Sequence, residues 1–117
     1  MARTTIFEPG TVVLVRFPFT DLTGTKQRPG VVLSSQEHQR RQRDVIIAAI
    51  SGHRVDEPGY FDHVVEGWHQ AGLLMPSVVR CGKLVTLERS LVRRALGRLT
   101  VAELDSVRGK VTNALSL

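Results

Sequence analysis

Residues 11–17, Thr-Val-Val-Leu-Val-Arg-Phe (TVVLVRF), decide the fold class. Four consecutive aliphatic residues, three of them β-branched, suit an extended chain buried on both faces, and Arg16 marks where that burial ends. The run has strand length, and Pro9-Gly10 punctuates its N-terminal side.

Working outward, the same pattern recurs. Gly30–Ser34 (GVVLS) reads as a second strand, starting after Pro29, which has no amide hydrogen to give to a ladder. Asp44–Ile50 (DVIIAAI) is a third strand, Phe61–Val65 an edge strand, and Ser77–Leu87 (SVVRCGKLVTL) a strand bent or broken at Gly82. Arg93–Leu99 adds a last short one. Polar stretches separate them: Pro18–Gln27 with turn chemistry at Asp21 and Gly24, Gln36–Arg43 (QEHQRRQR) as a solvated link, and Ser51–Gly59 as a loop. A second excursion runs from Gly67 to Met75, and Glu88–Val92 makes a turn or short helix. The ending reads as a helix over Val101–Leu115. Thr100 and Glu103 form a capping box that satisfies two amide donors at its start, and Leu104, Val107, Val111 and Leu115 make one apolar stripe. Short strands followed by a helix, without strand–helix–strand alternation, predict a small barrel that is mainly β with a C-terminal helix.

The 117 residues suffice for one domain, 1–117, with no repeat or linker. Sixteen Lys+Arg against eleven Asp+Glu, a net +5, favour a polyanionic partner, nucleic acid first. A single cysteine, Cys81, excludes an intrachain disulfide, and the histidines at 38, 53, 63 and 69 fall in expected loops at no metal-ligand spacing. Neither metal nor cofactor is expected. The apolar run Val45–Ile50 is too short to span a membrane, and Met1–Glu8 lacks the apolar core of a secretory signal, so the expected compartment is the cytoplasm. Gly24-Thr25-Lys26 lacks the rest of a phosphate-cradling loop. Asp56, Glu57 and Asp62 read as a soluble loop, because solvated carboxylates do not hold two pKa values apart.

What remains is a cationic loop meeting a polar strand end. Lys26, Gln27 and Arg28 lead straight into Pro29, which gives Arg28 a rigid root. A guanidinium there stays charged and grips two phosphate oxygens at once. Ser51 puts a hydroxyl where the third strand leaves the sheet, and Gly52 lets a ligand approach the backbone. Taken singly, each has an ordinary reading as a loop or turn residue.

Taken together they resemble a known family. Pro9-Gly10-Thr11-Val12-Val13-Leu14-Val15, Phe17-Pro18-Phe19-Thr20-Asp21, Lys26-Gln27-Arg28-Pro29-Gly30-Val31-Val32-Leu33-Ser34 and Ala48-Ala49-Ile50-Ser51 stand in order. Ser77-Val78-Val79-Arg80-Cys81, Leu84-Val85-Thr86-Leu87 and Leu96-Gly97-Arg98-Leu99 follow before the helix. Over nearly its whole length the chain resembles the MazF/PemK (Kid) toxin endoribonucleases of type II toxin–antitoxin systems. The resemblance implies an SH3-like antiparallel barrel with a C-terminal helix, paired as a homodimer with an RNA groove across its interface. It further implies metal-independent cleavage of single-stranded RNA at short sequences. Inhibition by a cognate antitoxin, whose disordered tail fills the groove, is implied as well.

Residue by residue, the resemblance makes Arg28 the catalytic Arg of the Arg-Pro pair and Ser51 the catalytic hydroxyl ending the third strand. Arg80 matches an Arg used catalytically in the Kid branch, and Lys83 stands where other members place a polar RNA contact. Gly82 stands where that branch has an Asp, and Thr20–Gln27 contains no His where it has one. Those proton-transfer roles do not carry over, and His53 is the local substitute. The expected chemistry is attack by the 2′-hydroxyl, leaving 2′,3′-cyclic phosphate and 5′-hydroxyl ends, with Arg28 bearing phosphorane charge and Ser51 positioning. Specificity is expected in residues 19–27 and 53–61, with Phe19 and Tyr60 as stacking candidates and Thr20, Lys26 and Gln27 as RNA contacts. Two alternatives keep the fold and drop the chemistry: a CcdB-like toxin that binds DNA gyrase, and an RNA- or peptide-binding barrel that has lost catalysis.

Overall fold

In a computed structural model, which describes residues 5–16 and 26–117, the aliphatic runs pair into one six-stranded antiparallel sheet. The strands are β1 (Thr11–Arg16), β2 (Gln27–Val32), β3 (Asp44–Ser51), β4 (Asp62–Val64), β5 (Val78–Glu88) and β6 (Val92–Arg98), in the spatial order β4-β5-β3-β2-β1-β6. Helix α1 (Gln36–Gln42) joins β2 to β3, a 3-10 turn (Arg89–Leu91) joins β5 to β6, and helix α2 (Val101–Ala114) follows. This is the expected mainly β architecture with a C-terminal helix.

Burial follows the two-residue period of the strands. Val12, Val31, Ala48, Ile50 and Val79 join one core with Val107 of α2, while Val13, Val15, Val32, Val45, Ile47 and Leu87 form a second on the opposite face. A sheet filled on both faces explains why β1 reads as a continuous apolar run rather than an alternating one. Val107 is fully buried, and removing a side chain of that size from water is worth about 1.5–3 kcal/mol. The stripe on α2 ends sooner than its sequence pattern: Leu115 is its C-cap and lies exposed.

Three expectations need correction. First, β2 starts at Gln27, with Pro29 inside it opposite Leu14. Proline is tolerated because the β2–β3 ladder covers only Gly30–Val32, leaving that side of Pro29 unpaired. Second, residues 36–42 are helical rather than a solvated link. Ser35 accepts the His38 amide at 3.0 Å as N-cap, Arg41 donates to Glu37 at 3.0 Å one turn away, and Arg43 closes the helix in the left-handed conformation. Its one fully buried side chain is polar. Gln39 donates to the carbonyls of Phe7 (2.7 Å) and Ser34 (3.2 Å) and accepts the Phe7 amide (2.8 Å), which pins the N-terminal segment.

Third, the capping box is only half made. Thr100 Oγ1 accepts the Glu103 amide at 3.1 Å, but the Glu103 carboxylate turns away from its own helix. It accepts from His63 Nε2 at 2.6 Å and from the amides of Glu66 and Gly67, both at 3.0 Å. His63 and Glu103 are thereby structural partners, and His63 lies in β4 and His38 in α1 rather than in loops. Burial opposes ionisation of Glu103, but the hydrogen bonds from His63, Gly67 and Glu66 outweigh it and hold the carboxyl below its ordinary value. Asp62 is likewise structural, accepting Gly59 N at 2.7 Å and Arg54 Nε at 3.1 Å.

Among the described residues no ladder joins the end strands β4 and β6. The segment between β4 and β5 bridges them instead. Gly72, at φ +82°, packs on the Leu96 carbonyl of β6, and a Cβ on Gly97 would lie 2.6 Å from the Ala71 backbone. Both positions need glycine because backbone approaches backbone there.

Candidate active site

The β2–β3 ladder ends at Gly30 opposite Ala49. Pro29 has no amide hydrogen with which to extend it. Carrying the register two residues further would set Arg28 opposite Ser51, and this is where a cavity of about 810 Å³ opens. Arg28 and Ser51 both line it.

The strand β5 supplies the facing wall through a break in its own register. Ala48 pairs with Leu84 but Ala49 pairs with Arg80, so Cys81, Gly82 and Lys83 have no partner on β3. The bulge swings the strand, as bulges do beside sites, and both Arg80 and Lys83 line the cavity. Gly82 at its crest is exposed, and a Cβ there would meet nothing within 4 Å. Behind it the Cys81 thiol is fully buried, and burial pushes it up to about 11, so it stays protonated and serves packing rather than nucleophilic chemistry.

Other sequence candidates divide plainly. Gln27 and His53 line the same cavity, whereas Lys26 and Tyr60, both exposed, do not. Phe19 and Thr20 lie outside the described residues. Arg94 of β6 lines the cavity and was not singled out by sequence. It pairs with Leu14, itself on the cavity wall, and only the β1–β6 register reveals that.

The lining carries Arg28, Arg80, Lys83 and Arg94 and no carboxylate among the described residues. Opposing acids would neutralise such a cluster, so their absence leaves the cavity suited to an anion. The Nε of Arg80 is buried without a hydrogen-bond partner among the described residues. A donor in that state costs about 1–3 kcal/mol. Ser51 Oγ accepts the His53 amide at 3.2 Å, which orients the hydroxyl and frees its proton to be donated into the cavity. Among the described residues no three His, Cys, Asp or Glu side chains gather as a metal-holding group. Among the described residues no helix is long and apolar enough to cross a membrane.

Residues 8–115 match the model of the PemK-like, MazF-like toxins of type II toxin–antitoxin systems. The chain belongs to this family. Its fold is shared by a crystal structure of MazF from Deinococcus radiodurans (TM-score 0.78, 19% identity, covering 97% of this chain and 99% of that one). A mycobacterial endoribonuclease in complex with its cognate antitoxin is also similar (TM-score 0.75, 18% identity, 97% of each chain). So is the Mycobacterium tuberculosis toxin MazF-mt6 (TM-score 0.73, 21% identity, covering 92% and 97%). No curated protein matches the chain. In this PemK/MazF-like toxin Gly82 has no side chain, so no carboxylate projects from the bulge, and among the described residues His53 is the histidine on the cavity wall.

Proposed function

We propose that this toxin is an endoribonuclease that cuts single-stranded RNA by directing the 2′-hydroxyl onto the adjacent phosphate, leaving 2′,3′-cyclic phosphate and 5′-hydroxyl ends. The observation that carries the reading is the convergence of Arg28 and Ser51, just past the end of one ladder, in a cationic cavity lined by no described carboxylate. RNA brings its own nucleophile, so the protein must align it, move two protons and stabilise charge on the phosphorane. The Arg28 fork bears that charge, and Arg80, with its buried Nε, contacts a second phosphate oxygen. Ser51 positions the reacting group, and Lys83 and Gln27 hold the flanking backbone. His53 is the proton-transfer candidate, because an arginine remains protonated and serves poorly as a base.

Family membership and the shape of the site support two partners: a second copy of the chain, and a cognate antitoxin whose acidic tail competes with RNA for the cavity. A cytoplasmic location fits such a substrate. The test is incubation of the protein with a long single-stranded RNA in EDTA. Discrete fragments ending in 2′,3′-cyclic phosphate are expected from the wild type, and none from a folded Arg28→Ala variant. Cutting by Arg28→Ala at near the wild-type rate overturns the site assignment.

A further inference from the structure

The cavity has a second kind of wall that phosphate chemistry does not use. Residues 73–75, Leu-Leu-Met, form a lip on it, opposite the cations in chemical character. Leu74 is 95% exposed and Met75 49%, an unusual display of apolar surface beside four cationic side chains.

The lip is held, not loose. On one side Leu73 is buried in the core, and its amide donates to the Trp68 carbonyl at 3.0 Å. On the other, the buried Ser77 hydroxyl donates to the Met75 carbonyl at 2.8 Å. The start of the segment is tied to α2 through the Glu103 bonds to Glu66 and Gly67. Met75 lies over Gly52, in the space a Cβ at that position would fill. Gly52 directly follows Ser51. The polarisable thioether therefore sits one residue from the hydroxyl that would face the scissile phosphate.

We infer that Leu74 and Met75 form a seat for one unpaired nucleobase next to the scissile phosphate. This rests on the ribonuclease reading and deepens it by adding a specificity-determining contact. The cations and the lip share one cavity, so an occupant that pairs an anion with an apolar body uses both, and a nucleotide, a phosphate beside an apolar ring, is that combination. A seat built from a leucine and a thioether discriminates by stacking area rather than by hydrogen bonds, so it favours purines over pyrimidines.

The test is fluorescence anisotropy with three non-cleavable 12-mers: 2′-O-methyl oligo(A), 2′-O-methyl oligo(U), and an abasic ribose-phosphate chain. Wild type is expected to bind oligo(A) about 2- to 12-fold more tightly than the abasic chain, with oligo(U) between them. Leu74→Ser/Met75→Ser is expected to bind all three about equally, at the wild-type affinity for the abasic chain. Leu74→Ser alone, at a residue too exposed to affect folding, is expected to lose part of the preference. An unchanged preference in the double variant overturns the inference. So does a double variant that changes only the oligomeric state on a sizing column, which would assign the lip to a second copy. If wild type cuts no RNA in EDTA yet shows the base preference, the ribonuclease reading fails and the seat stands. If it cuts RNA without base preference, the seat alone fails.

Discussion

Replacing Glu103 by alanine should cost this toxin about 3 kcal/mol, although the residue looks like an ordinary helix-start acid. Its carboxylate accepts three hydrogen bonds from β4 and the segment after it. Bonds to a charged acceptor are worth about 1.5–3 kcal/mol each, but the Glu66 amide is exposed and recovers its bond from water. The part-buried Gly67 amide and the His63 ring do not, which leaves two bonds near the lower value. That is a sizeable share of a typical 5–15 kcal/mol total, and for a domain of this size it lowers Tm by about 10 °C.

The pH dependence has a definite sign. The Glu103 carboxyl lies below its ordinary value in the folded state, so its contribution is complete above the unfolded carboxyl value and fades as pH falls through the folded one. Urea unfolding of wild type and Glu103→Gln at pH 7 and at stepwise lower pH reads this directly. The gap between them should narrow with acidification, since the amide cannot lose a charge it never had. A Glu103→Ala loss below about 1 kcal/mol at pH 7, or a wild type–Gln gap that stays constant into acid, refutes the reasoning.

Other consequences are as direct. Arg28→Lys keeps the charge but loses the fork, and should lower kcat by about a hundredfold or more in an RNA cleavage assay. His53→Gln should remove one limb of the pH profile of kcat/KM if His53 moves a proton, whereas a uniform drop at every pH would mark it as a contact only. Gly72→Ala combines a positive φ with a collision on the Leu96 carbonyl, and should cost more than about 2 kcal/mol in chemical denaturation. Cys81, buried and with its thiol raised to about 11, should resist a thiol reagent at pH 8 until the protein is unfolded, as scored by mass spectrometry.

Much of the fold was legible residue by residue. The aliphatic run at 11–17 announced a strand buried on both faces, the run at 44–50 announced a third strand, and Gly82 announced the break in β5. The short helix at 36–42 was not, because it buries a glutamine rather than an apolar stripe and so shows no helical hydrophobic period. The Arg-Pro pair and the strand-ending serine were visible as a cation and a hydroxyl, and their common cavity required the register of β2 on β3. Arg94 and the Leu74–Met75 lip gave no local signal. One is set by pairing across β1 and β6, the other by anchors at Trp68 and Ser77.

The sequence by itself therefore determined the strands, the C-terminal helix and the chemical type of the groups available, because side-chain period and backbone propensity are local properties. Only the tertiary structure decided which of those groups meet. Ladder register, the three-residue bulge in β5 and the turn of Glu103 away from its own helix are set by contacts between residues far apart in the chain.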